Sequence, residues 1–165
     1  MFRVALFVII FSLTACFSRK PASTGLEGKS MPTFNLLLID SITYLNTGNI
    51  PGGKPTVIFG FTPFCPHCRA QLEEMLGDMD SLQHLQFYMV SGFPMPEIQQ
   101  FIKKYELQKY ENVKVGRDTA DVIARYFKAP GAPYTAIYDK DKKLISYFLG
   151  RIKSKDILAA TKLKP

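Results

Sequence analysis

Apolar and polar positions follow two periods along this chain, and the switches between them mark its elements. "PTVIFGF" (55–61) is a continuous run of apolar and β-forming residues after the turn signal "PGGK", and it predicts a buried central strand. Helical spacing follows: Cys68, Leu72, Met75, Leu76, Met79 and Leu82 recur at three and four, which predicts a helix over about 66–79. "LQFYMVS" (85–91) reads as the next strand. "PEIQQFIKKYEL" (96–107) reads as a helix with Ile98, Phe101, Ile102 and Tyr105 on one face. "VKVG" (113–116) is a short strand, and "DTADVIARYFKA" (118–129) a helix with Asp118 as its N-cap and Asp121 in the first turn. "YTAIYD" (134–139) and "KLISYFLG" (143–150) flank "KDK" as a hairpin, and "SKDILAATK" (154–162) closes as a helix with Ser154 as a candidate cap. Two further strands are expected near "TFNLLLI" (33–39) and "ITYLN" (42–46). The alternation predicts an α/β fold, a central mixed β-sheet with helices on both faces and an antiparallel hairpin at its end.

The first residues break this pattern. Arg3 precedes an apolar run from Val4 to Phe11, too short to span a bilayer as a helix, and small residues follow. That is the layout of an export signal, here residues 1–15. "LTAC" resembles the bacterial lipobox, which implies that Cys16 is lipidated and becomes the new N-terminus. More than one acyl chain there gives stable membrane anchoring. "FSRKPASTGLEGKSM" (17–31) has no apolar period and is expected to be a tether, with the folded domain over 32–165.

Composition changes this picture little. With 165 residues, 47% apolar and 21% charged, the chain has the make-up of one folded domain. The net charge of +7 comes from scattered lysines, as in "KDKK" (140–143) and "RIKSK" (151–155), and no RNA- or DNA-binding motif accompanies it, so no nucleic-acid partner is expected.

The chemistry concentrates in "FTPFCPHCRAQ" (61–71). Three cysteines less a lipidated Cys16 leave Cys65 and Cys68, in a compartment where disulfides persist. A CxxC supplies two of the four ligands of a usual zinc site, and only His67 and His84 exist to add to it, so no metal is expected. The motif sits where a strand ends and a helix begins, and a helix N-terminus stabilises a thiolate. Pro66 suits the first helical turn. Cys65 takes the exposed end and Cys68 the apolar face, an asymmetry suited to exchange: Cys65 attacks a partner disulfide and Cys68 resolves the adduct. His67 is either a surface bystander or a charged neighbour of the thiolate. His84, between a helix and a strand, reads as a structural or surface residue.

These segments resemble the thioredoxin superfamily. "KPTVIFGFTPFCPHCRAQLEEM" looks like its strand, redox turn and first helix, and "GAPYTAIYDKDKKLISYFLG" like its cis-proline segment with the closing hairpin. The resemblance covers about residues 32–163 and implies a cis Pro133, preceded by Ala132, beside the CxxC and against an extended substrate. The anchored single-domain form is similar to TlpA/ResA-type extracytoplasmic thiol–disulfide oxidoreductases. It implies a redox-active Cys65–Cys68 disulfide without a separate cofactor. The implied partners are protein thiols or disulfides of the cell envelope, and a membrane or thioredoxin-like protein that resets the pair. Several positions depart from these patterns. Phe59 stands where thioredoxins carry a buried acid, Phe64 replaces a tryptophan, and Gln71 replaces the glutamate frequent in TlpA-like proteins. Glu73 and Glu74 are expected on a solvated helix face. The Pro-His dipeptide is the pair of strongly oxidising DsbA-like proteins, so the direction of electron flow stays open. Two other activities stay open as well. "TPFC" (62–65) matches part of a peroxiredoxin pattern, with Ile58 where that pattern has proline, and two thiols with His67 suit a soft ion such as Cu(I) in a copper chaperone.

Overall fold

The computed structural model describes residues 19–163. The signal segment 1–15 and the candidate lipidation residue Cys16 lie outside the described residues. Within them the chain runs β1 (Asn35–Leu38), β2 (Tyr44–Asn46), β3 (Thr56–Gly60), α1 (Pro66–Gly77), α2 (Met79–Leu82), β4 (Gln86–Ser91), α3 (Met95–Lys104), β5 (Val113–Arg117), α4 (Val122–Tyr126), β6 (Tyr134–Tyr138), β7 (Leu144–Leu149) and α5 (Ser154–Ala160).

The strands form one mixed sheet in the order β2-β1-β5-β4-β3-β6-β7. β3 pairs in parallel with β4, and β4 with β5, while β6 runs antiparallel to β3. Every residue of β3 is buried, as its uninterrupted apolar run requires of a strand covered on both faces. One face packs Phe59, Met89, Ile145 and Phe148 against Leu72, Met75, Ile98, Phe101 and Ile157 of the helices. The other holds Tyr88, Tyr134, Tyr138 and Tyr147 with Ile123, Phe127, Met31 and Phe34. The C-terminal ends of β3 and β4 lie side by side, where an open α/β sheet leaves a crevice.

Four local readings change, the first being the helix expected over 96–107, which ends at Lys104 before left-handed Glu106 with φ of 50°. The helix expected over 118–129 shortens to α4, because Asp121 and Lys128 take left-handed backbone with φ of 48° and 50°. Buried Asp118 serves the turn before it, its carboxylate accepting from the N–H groups of Ala120 and Ile123. The α1 ladder stops at Gly77, and Met79 and Leu82 belong to the separate α2. Ser154 is the first residue of α5 rather than its cap; Asp156 Oδ2 closes the turn by accepting from Lys153 N at 3.0 Å.

The expected tether also differs. Residues 22–31 lie along β7: Ala22 bridges Tyr147 and Ser30 bridges Lys143, both antiparallel. Ala22 N donates to Tyr147 O at 2.7 Å, and Leu144 N to Lys29 O at 2.9 Å. Main-chain pairing needs no apolar period, which is why the stretch carried no signal.

Candidate active site

Cys65 is the N-cap of α1. Its backbone is extended, with φ −71° and ψ 119°, and its sulfur accepts from Cys68 N at 3.3 Å. Pro66 takes the first helical position, where a missing N–H removes no bond. Three residues of helix then carry Cys68 inward. Both cysteines are free thiols; Cys65 is half-buried and Cys68 fully buried.

The opposite wall is the start of β6. The Ala132–Pro133 bond is cis, and the Cys65 thiol faces Ala132 O at 3.7 Å. Next to it, Gly60 leaves room for the Tyr134 ring, which a Cβ there would meet at 2.0 Å. The structure thus gathers Cys65, Pro66, Cys68, Ala132 and Pro133. His67 is exposed at the second helical position and has no hydrogen bond to either cysteine. His84 is exposed before β4, on the surface as expected.

The three departures acquire physical content here. Phe59 is fully buried and stacks with Phe61 at 6.0 Å, so the sheet beneath the site is apolar. Phe64 is 62% exposed and meets Phe93 edge-on at 5.8 Å, forming an apolar platform beside Cys65. Phe93 was missed in the sequence; its place just after a parallel strand was the available signal. Gln71 is fully buried, donating to Thr135 Oγ1 at 2.9 Å and accepting from Ile152 N at 3.1 Å. Glu73 is exposed as expected, bonded by the Tyr105 hydroxyl at 3.0 Å, whereas half-buried Glu74 pairs with Arg151 at 3.0 Å.

Burial pushes the Cys68 thiol up to about 12, the hydrogen bond and charge of Cys65 add to the rise, and a backbone hydrogen bond from Thr62 opposes it. No carboxylate contributes to its titration. Attack by Cys68 on a mixed disulfide needs its thiolate, which is scarce throughout the neutral range. Burial persists in that adduct, so its resolution is expected to speed up roughly tenfold per pH unit between pH 6 and 8. Rapid acid quenching of a single turnover measures this slope; a flat profile would show that another group takes the proton.

Among the described residues no three His, Cys, Asp or Glu side chains gather into a metal-holding group, and no helix is long and apolar enough to cross a membrane. A family model described as AhpC/TSA matches residues 28–156. The chain belongs to the AhpC/TSA family. No curated protein matches this family member. Solved structures similar to it include MTB DsbF, at 22% identity over 78% of this chain and 95% of that one, with a TM-score of 0.64. A secreted Mycobacterium tuberculosis disulfide oxidoreductase homologous to E. coli DsbE shares 21% identity over 78% and 92%, with a TM-score of 0.62. A Chlorobium tepidum protein described as a thiol:disulfide interchange protein DsbE shares 17% over 82% and 97%, with a TM-score of 0.66. The thioredoxin-like fold is thereby established for this AhpC/TSA member, and the expected enzyme class, a thiol–disulfide oxidoreductase, agrees with the family and these neighbours.

Proposed function

We propose that the protein is a membrane-anchored, extracytoplasmic thiol–disulfide oxidoreductase that exchanges disulfides with protein partners through Cys65 and Cys68. The observation that carries this reading is the asymmetry of the pair, a half-buried sulfur capping a helix above a buried one. In the reducing direction the Cys65 thiolate attacks one sulfur of a partner disulfide. The partner's other sulfur leaves as a thiolate and takes a proton. Cys68 then gives up its proton and attacks Cys65, releasing the second partner thiol and leaving the Cys65–Cys68 disulfide. Two electrons pass to the partner, and the same steps reversed oxidise a partner dithiol. The backbone at Ala132 and the Phe64–Phe93 platform supply an edge and an apolar seat for an extended substrate segment. Lipidation at Cys16 supplies the anchor, and the redox disulfide serves without a further cofactor. A membrane or thioredoxin-like partner resets it.

The competing peroxidase reading rests on "TPFC" and the family. Against it, Thr62 meets Cys65 through the main chain, with Cys65 N donating to Thr62 O at 3.2 Å, and Ile58 lies inside β3. Turnover of insulin disulfides compared with hydrogen peroxide decides between them; faster peroxide turnover would overturn the exchange reading. A cationic side chain beside the pair would favour the thiolate, hence the reduced form, and make the pair more oxidising. His67→Ala is therefore expected to move the potential negative by on the order of tens of millivolts. Equilibration against glutathione buffers measures it, and an unchanged potential would make His67 a bystander.

A further inference from the structure

The first described residue, Arg19, lies at the dithiol end of the domain. Its Nη1 donates to Arg151 O at 3.2 Å, and its Nη2 would lie 3.1 Å from a Cβ added at Gly150. Gly150 N donates to Pro133 O at 2.7 Å, one residue from the carbonyl that faces the Cys65 thiol. From there the N-terminal segment runs away from the site, Ala22 opposite Tyr147 and Ser30 opposite Lys143. Cys16 precedes Arg19 by three residues, and three residues span at most about 11 Å. An acyl group on Cys16, as proposed above, would be tethered within that distance of Arg19. The opposite end of the sheet, where His84 precedes β4, is separated by the six residues of that strand at about 3.3 Å each.

Charge supplies a second, independent observation. Beside the Arg19–Arg151 contact lies an open hollow of about 680 Å³ lined by Arg19, Arg151, Ile152, Lys153 and Asp156. Three cations meet one carboxylate there. Asp156 Oδ2 accepts from Lys153 N, and Arg151 also pairs with Glu74 at 3.0 Å, which leaves the rim cationic on balance. Cations held near an anionic leaflet are drawn to its headgroups, and salt screens that attraction.

We infer that, given the lipid anchor proposed above, the dithiol end of the domain is seated on anionic phospholipid headgroups through Arg19, Arg151 and Lys153. Cys65 then exchanges with partner sulfurs lying at the membrane surface.

The chain contains no tryptophan, so one introduced indole reports the position of one site. Phe64→Trp marks the dithiol end and His84→Trp the opposite end, both at exposed positions. The full, lipidated chain is reconstituted into phosphatidylglycerol–phosphatidylethanolamine vesicles containing a headgroup-nitroxide lipid. Flotation of native and Cys16→Ser chains reports the anchor, and fluorescence quenching reports the seating. Quenching at Phe64→Trp is expected to exceed that at His84→Trp at least threefold. In phosphatidylcholine vesicles, and in an Arg19→Gln, Lys153→Gln background, the ratio is expected to fall by half or more, the tether to Cys16 alone keeping it above one. Equal quenching at both ends of protein that floats overturns the seating and leaves the anchor standing. A ratio that persists in phosphatidylcholine overturns the role of headgroup charge. A native chain that does not float, or a Cys16→Ser chain that floats as well, overturns the anchor and this inference with it.

Discussion

Cys68→Ser is expected to accumulate a stable mixed disulfide with its partner, while Cys65→Ser forms none and loses exchange activity roughly a hundredfold or more. The two sulfurs are three residues apart, yet their surroundings differ. Cys65 caps α1 and keeps one side open past Ala132 O, so an incoming sulfur can reach it. Cys68 lies under the helix start with no exposed surface, and only a disulfide already formed on Cys65 comes within its reach. Serine at 68 removes the resolving sulfur and keeps the entry sulfur with its hydrogen bond from the backbone N–H at 68. Non-reducing electrophoresis of both variants after incubation with a disulfide-bonded protein reads the result. Adducts on Cys65→Ser and none on Cys68→Ser would reverse the roles.

Gln71→Leu is expected to cost about 2–4 kcal/mol, because a side chain of similar size leaves two buried polar groups without their partner. Gln71 joins α1 to Thr135 in β6 and to the backbone N–H of Ile152. After the change the Ile152 N–H has no acceptor, and Thr135 loses its donor. For a chain of this size that is a fall in melting temperature on the order of 10 °C. Exchange should weaken too, since Ile152 ends the segment whose Gly150 holds Pro133 O. Gln71→Glu keeps an acceptor for Ile152 N, but its buried carboxyl replaces the donor to Thr135 only when protonated, so its stability is expected to recover as pH falls. Calorimetry of both variants tests this; a Gln71→Leu melting temperature within 2 °C of native would mean that the two hydrogen bonds contribute little.

The central elements were legible because one signal dominated each. β3 is a run of buried β-formers, and α1 begins at a proline beside a possible cap. Where competing local conformations decide the outcome, pattern reading went too far, as at 118–129, where two left-handed residues confine α4 to five residues. The strap at 22–31 escaped notice because its partners are main-chain groups more than 110 residues away. The cysteine pair and Pro133 were legible as a motif and a resemblance. Gln71 stood out only as a substitution against a family pattern. Its partners lie 64 and 81 residues downstream, a distance over which a single sequence carries no pairing signal. Phe93 meets Phe64 only once β4 is laid beside β3.

The strap has one more effect. β7 ends one side of the sheet, and without the strap its outward N–H and C=O groups, Leu144 N and Tyr147 O among them, would be a template on which other chains can assemble. Ala22 and Ser30 occupy that border at two points, and at the other border β2 is only three residues long. Cutting the chain at residue 32 to obtain a water-soluble form would uncover the β7 border and invite aggregation, whereas a cut just after Cys16 removes the acyl groups and leaves the border guarded.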